Sequence, residues 1–295
     1  MKNLEPPISA SAPGSLMLLG EHAVLHGRRA LVCAINKRIT VALSQIKQPV
    51  LRIVSDLGAY EAPLGALKDH PDFRFVLDAV KQYPLEQGIE LKIESEFSSD
   101  IGFGSSAAVT VATHAVFMGV GADRLELFKR SLATIHRVQG RGSGADVAAS
   151  VFGGVVAYRA EPLEINPLNV SFPLTAVYSG SKMKTADVIR LVEGRRALNP
   201  DYFERIFDRM DASVGEVVSD FKSLGKKLVE NQFLMEEMGL CNAALAEIIS
   251  NFQSLEVPAK ISGSGLGDCA IGLGDFPKIG KFQTYSLKVD PCGVL

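Results

Sequence analysis

Ser98-Ser99-Asp100-Ile101-Gly102-Phe103-Gly104-Ser105-Ser106-Ala107-Ala108 is the stretch on which the fold depends. Ahead of it, Ile89–Phe97 alternates: Ile89, Leu91 and Ile93 against Glu90, Lys92 and Glu94, the period of a half-buried strand. Behind it, a long apolar helix is expected from Ala107. A strand, a Gly-x-Gly-Ser-Ser turn and a helix together suit an anion. Glycines let the backbone turn tightly and approach a ligand without a Cβ in the way. Free N–H groups and the dipole at the helix start then favour negative charge. Ser105 and Ser106 add hydroxyls that can meet phosphate oxygens or Mg²⁺. The stretch lacks the Gly-Lys-[Ser/Thr] of a Walker loop and the third glycine of a dinucleotide fingerprint. Taken alone, it fits a serine-capped strand-to-helix turn as well as a phosphate cradle.

Outward from this loop the pattern stays mixed. Strands are expected at Leu31–Ser44, Val50–Ser55, Val155–Arg159, Leu174–Tyr178, Ala259–Ser262, Cys269–Leu273 and near Tyr285–Val289. Helices are expected at Asp72–Tyr83, Asp123–Val138, Asp146–Phe152, Thr185–Leu198, Pro200–Leu224, Lys226–Met238 and Ala243–Leu255. Both halves therefore mix strands with helices, the mark of an α+β protein. At 295 residues there is room for two domains. The three prolines of Glu161–Pro173 make that segment the expected crossing, giving domains 1–165 and 166–295.

Composition narrows the function. Lys and Arg total 31 against 33 Asp and Glu, so no basic excess points to nucleic acid. The most apolar stretch, Ala107–Ala122, is interrupted by Thr110, Thr113 and His114 and is too short to cross a bilayer. Cys33, Cys241, Cys269 and Cys292 have no metal-ligand spacing and read as reduced thiols of a cytoplasmic protein.

Three further segments accompany the loop. The first is Ala12-Pro13-Gly14-Ser15-Leu16-Met17-Leu18-Leu19-Gly20-Glu21-His22-Ala23-Val24. The glycine-rich turn Gly140–Gly144 leads into Ala145-Asp146, and Lys260-Ile261-Ser262-Gly263-Ser264-Gly265-Leu266-Gly267-Asp268-Cys269 follows near the end. In this order they resemble the galactokinase, homoserine kinase, mevalonate kinase and phosphomevalonate kinase (GHMP) superfamily over nearly the whole chain. Gly20–Val24 and Asn231–Leu240 are most similar to the mevalonate kinase family.

That resemblance implies a two-domain fold, a ribosomal-protein-S5-like N-terminal domain and a ferredoxin-like C-terminal domain. It implies Mg²⁺ and ATP as cofactors and phosphorylation of mevalonate to 5-phosphomevalonate. By position, Asp146 matches the catalytic aspartate. Gly102, Phe103, Gly104, Ser105, Ser106 and Ala107 match the phosphate cradle, with Ser106 on the metal. Gly263, Ser264 and Gly265 match the third motif that supports the phosphates. Glu21, His22, Thr185 and Arg141 fall on the substrate side. Capping is the competing role for Asp146 and Thr185. A homodimer is left open.

The sequence also departs from the resemblance. Ser15 stands where most members have a lysine beside the transferring group, and a serine supplies no positive charge. Lys182, Lys184 or Arg141 is expected to replace it. The position of the metal glutamate falls near Ile135, which cannot coordinate, beside His136. Gln139–Ala149 also resembles phosphomevalonate kinase, which keeps a phosphorylated substrate in play. A nucleotide-binding sensor without turnover is the alternative of another class.

Overall fold

The computed structural model describes residues 7–119 and 121–295. The first sheet contains β1 (Ile8–Leu19), β2 (Ala30–Gln45), β3 (Val50–Ser55), β4 (Gly58–Pro63), β5 (Ile89–Ser95), β6 (Val155–Arg159) and β7 (Glu164–Leu168). Its order is β4-β3-β5-β2-β6-β7, with β1 paired to β2. β2 can serve three partners because it is long. Its first half pairs with β6, its second half with β5, and β1 runs antiparallel beside it from Leu43 back to Leu31.

Four helices accompany this sheet: α1 (Arg74–Val80), α2 (Ser105–Met118), α3 (Arg124–Gln139) and α4 (Ala145–Phe152). α2 and α4 bury small side chains, among them Ala107, Ala108, Ala112, Ala145, Ala148 and Ala149. Short side chains let both helices lie close to β1 and β2, which brings their N-termini near the first motif. His114, the polar interruption of α2, is paid for inside the core. Its ring bonds the Tyr83 hydroxyl at 2.8 Å and Thr134 Oγ1 at 2.9 Å.

The second sheet is antiparallel, in the order β11-β8-β10-β9, from β8 (Pro173–Tyr178), β9 (Ala259–Ser262), β10 (Cys269–Leu273) and β11 (Gln283–Lys288). Its strands alternate faces, as the pleat requires. Leu174, Ala176, Cys269, Ile271 and Leu287 join the core of the first sheet. Val177, Ile261 and Ala270 join a second core with α5 (Thr185–Leu198), α6 (Pro200–Ser219), α7 (Leu224–Glu237) and α8 (Ala243–Ser254). One sheet thus faces two cores, and the cleft opens where its glycine loop meets the first motif.

Several expectations shift. The crossing placed at 165 and 166 would cut β7, which pairs with β6 despite Pro167 because it is the last strand of the sheet. The chain leaves the first sheet after Leu168. The single helix expected over Pro200–Leu224 ends at Ser219, where extended Asp220 accepts from Lys222 N at 3.1 Å, and α7 starts at Leu224. β1 and β4 lie in segments to which the sequence assigns no strand. No helix among the described residues is long and apolar enough to cross a membrane.

Candidate active site

A cleft of about 550 Å³ is lined by the loop before α2, the first motif, the turn before α4, the start of α5 and the loop after β9. In the loop, Gly104 takes the left-handed cap of α2 at φ 66°, so the serines are not caps. Ser105 and Ser106 open the helix, and neither hydroxyl has a protein partner among the described residues. The first intrahelical donor is Ala108 N, to Gly104 O at 3.0 Å, which leaves the N–H groups of 105–107 free of helical partners. The glycines are needed for space as well as for φ. A Cβ on Gly104 would lie 2.1 Å from Ser15 Oγ, and one on Gly102 2.7 Å from Asp268 Cβ.

The register of β1 against β2 shifts between Pro13 and Ser15, a bulge that re-aims the strand. Ser15 N bonds Phe103 O at 3.0 Å, and the Ser15 hydroxyl donates to Asp146 Oδ1 at 2.7 Å. Ser15 thus ties the first motif to both the glycine loop and Asp146. Asp146 sits in the first turn of α4 behind the left-handed cap Gly144, which makes no side-chain cap bond, and Asp146 itself caps nothing. Burial raises its carboxyl above the usual aspartate range, and the Ser15 hydrogen bond opposes that rise.

The third motif is strapped to the first. Ser262 Oγ donates to Met17 O at 3.1 Å, and His22 Nε2 lies 2.9 Å from Ser264 O. A carbonyl partner makes Nε2 the donor and leaves Nδ1 an acceptor. Burial lowers the His22 pKa, so the ring is neutral. Glu21 touches the cleft, but its carboxylate is engaged. Lys260 Nζ bonds Oε1, and Asn231 Nδ2 donates to Oε2 at 3.0 Å. Lys260 is fully buried and Glu21 almost so, making an ion pair that joins β9 to the end of β1.

The cleft thus brings together Asp146, Gly102, Phe103, Gly104, Ser105, Ser106, Ala107, Gly263, Ser264, Glu21, His22, Thr185 and Arg141. Phe103 contributes only backbone, since its ring is buried against Phe97 and Tyr285. Gly265 lies outside the lining. Its left-handed turn packs on Leu240, where a Cβ would come within 2.8 Å. Thr185 is exposed, and Lys184, not Thr185, occupies the cap position of α5. Ile135 lines the cleft, while His136 Nε2 turns to Gly142 O at 2.8 Å.

Four cations reach the same space: Arg74, Arg141, Lys182 and Lys184. Lys182 Nζ donates to Ser99 O at 2.8 Å, which fixes it beside the start of the loop. Asp268, to which sequence reading gave no role, lines the cleft too. Its carboxyl is raised by burial; Lys182 lowers it, and Asp146 and Asp100 raise it further. Two backbone bonds hold its segment, Asp268 N to Ser181 O and Ser179 N to Asp268 O, both 2.9 Å.

Two domains meeting over a glycine-serine helix start, with an aspartate facing it, define a GHMP-type small-molecule kinase. The family description "GHMP kinases N terminal domain" matches residues 73–154, "GHMP kinases C terminal" matches 211–283, and "Galactokinase galactose-binding signature" matches 2–45. Within that class the chain belongs to the mevalonate kinase family. It is 35% identical over 280 residues to the mevalonate kinase of Archaeoglobus fulgidus, covering 91% of this chain and 94% of that protein. To the mevalonate kinase of Saccharolobus solfataricus it is 29% identical over 301 residues, covering 96% and 95%. The fold is that of the Methanococcus jannaschii mevalonate kinase crystal structure, with a TM-score of 0.81 at 20% identity over 98% of this chain and 99% of that one.

Proposed function

We propose that this cleft transfers the γ-phosphoryl group of ATP to the 5-hydroxyl of mevalonate, giving 5-phosphomevalonate and ADP for isoprenoid precursor synthesis. The carrying observation is that Ser15 bridges the two halves of such a reaction: its hydroxyl donates to Asp146 and packs against Gly104 of the loop. Phosphoryl transfer asks a protein mainly for positioning and charge stabilisation. The free N–H groups of Ser105, Ser106 and Ala107 hold the phosphates at the positive end of α2. The unpartnered hydroxyl of Ser106 is an oxygen ligand suited to Mg²⁺. A Mg²⁺ held there would supply positive charge to offset the negative charge developing on the phosphates.

Asp146 receives or orients the proton of the attacking hydroxyl. Ser15 occupies Oδ1, so Oδ2 is the oxygen that meets the substrate. Burial makes the carboxylate a stronger base than a solvated aspartate. Neutral His22 accepts from a substrate hydroxyl at Nδ1. Exposed Arg141 and Lys184 meet the substrate carboxylate, with Thr185 beside them. Lys182, pinned to Ser99 O, supplies the positive charge that Ser15 cannot. Glu21 acts through its ion pair, holding the first motif against β9.

The test is ADP production by the purified protein with Mg-ATP and, in turn, mevalonate, phosphomevalonate, homoserine and galactose. Turnover on mevalonate is expected. Turnover on galactose or phosphomevalonate alone would replace the substrate, and ATP binding with no turnover on any of them would make the protein a sensor.

A further inference from the structure

We infer that Asp268 is a metal-facing carboxylate of this cleft, serving the divalent cation of the bound nucleotide together with Ser106. Asp268 is 8% exposed, and its Oδ1 is buried without a hydrogen-bond partner. Neither carboxylate oxygen accepts a bond from the protein among the described residues, though the side chain lines the cleft. A buried carboxylate left bare is expensive unless something outside the chain meets it.

The backbone is built to hold it there. Asp268 sits at φ 58°, a left-handed conformation that aspartate tolerates better than most residues. His22 and Leu266, in the first and third motifs, also have positive φ, so three of the four such non-glycine residues among those described fall in these two motifs. The side chain stands against the phosphate loop: a Cβ on Gly102 would lie 2.7 Å from Asp268 Cβ and 3.4 Å from Oδ1. Glycine at 102 is what admits the carboxylate.

The cation is the missing partner of best fit. A bare carboxylate beside a phosphate loop repels phosphate, whereas a hard divalent ion takes carboxylate and phosphate oxygens together. Lys182 offers charge nearby, but its Nζ bonds Ser99 O and makes no hydrogen bond to the carboxylate among the described residues. Ile135, where the family resemblance places a metal glutamate, supplies no oxygen. Asp268 would therefore provide from the third motif the charge that α3 lacks.

This inference rests on the nucleotide reading of the cleft, so the experiment separates the two. ADP affinity is measured by calorimetry for the full chain with saturating Mn²⁺ and again in EDTA. The wild type should bind ADP more tightly with Mn²⁺. Asp268→Asn, which also tolerates left-handed backbone, should cut that Mn²⁺-dependent gain at least about tenfold, since even indirect ligand contacts are worth 10- to 100-fold in metal affinity. Its affinity in EDTA should hold or rise, because a negative charge has gone. Asp268→Gly, free of strain at this φ, should behave alike. An unchanged Mn²⁺ gain in both variants, or an equal loss with Mn²⁺ and in EDTA, overturns the assignment. Absence of ADP binding by the wild type in either condition overturns the nucleotide reading and this inference with it.

Discussion

Glu21 and Asp146 both line the cleft, but Glu21 meets Lys260 and Asn231 at its two oxygens, whereas among the described residues Asp146 meets only the Ser15 hydroxyl. The first carboxylate is saturated by its own chain, in a network that also takes Gly20 N onto Asn231 Oδ1 at 3.3 Å. The second keeps an oxygen in reserve while burial raises its proton affinity. Sequence position marks both as site residues, yet a satisfied charge holds architecture and an unsatisfied one is free for chemistry. Asp268 belongs with Asp146 on this criterion.

Exchanging Asp146 for asparagine should break the comparison most visibly. We expect kcat to fall by about 10²- to 10⁴-fold, the scale of a lost general base. Stability should not fall with it. A carboxyl whose folded pKa is raised binds its proton more tightly when folded, so its contribution declines as pH rises through that pKa. Asparagine removes that cost at neutral pH, and urea unfolding should show a variant at least as stable as the wild type. A loss of activity matched by a loss of stability would make Asp146 structural.

Lys260→Met should do the reverse. It strands Glu21 as a buried charge without its cation, which costs about 3 to 5 kcal/mol of folding stability. The denaturation midpoint reports this directly. Adding Glu21→Gln should recover part of the loss, since removing both charges spares the desolvation that one alone incurs. A single variant with an unshifted midpoint would show that the pair holds nothing together.

Much of this was legible in the sequence where local sterics dictate structure. Gly102 and Gly104 announced a loop that no Cβ could enter, and the alternation over Ile89–Phe97 announced the strand before it, which ends at Ser95. β1 was hidden because Ala10, Ala12, Pro13 and Gly14 carry neither β-branching nor a clear period; its strand form comes from pairing with β2. The serine-cap reading of the loop fails because Gly104 takes the left-handed cap itself. Gly265 looked like its neighbours in the third motif, and only the approach of Leu240, from a distant helix end, gives it a different task. Asp268 and the engagement of Glu21 were likewise out of reach, because partners and burial are set by contacts more than 200 residues apart for the Glu21–Lys260 pair, whose separation is 239.

The smallest effect is the most diagnostic of how Asp146 is tuned. Ser15 donates to the charged form of its carboxyl and so lowers a pKa that burial raises. Asp146 acts as base only when deprotonated, so kcat/KM should climb with pH along an acid limb set by that pKa. Ser15→Ala removes the donor and leaves the burial. The carboxyl should then hold its proton to higher pH, and the acid limb should move upward. On the alkaline side of the limb the carboxylate is ionised in both proteins, and a loss of only a few-fold is expected there from poorer orientation. A uniform loss at every pH, with the limb unmoved, would mean that Ser15 positions the loop through Gly104 and has no hold on the charge of Asp146.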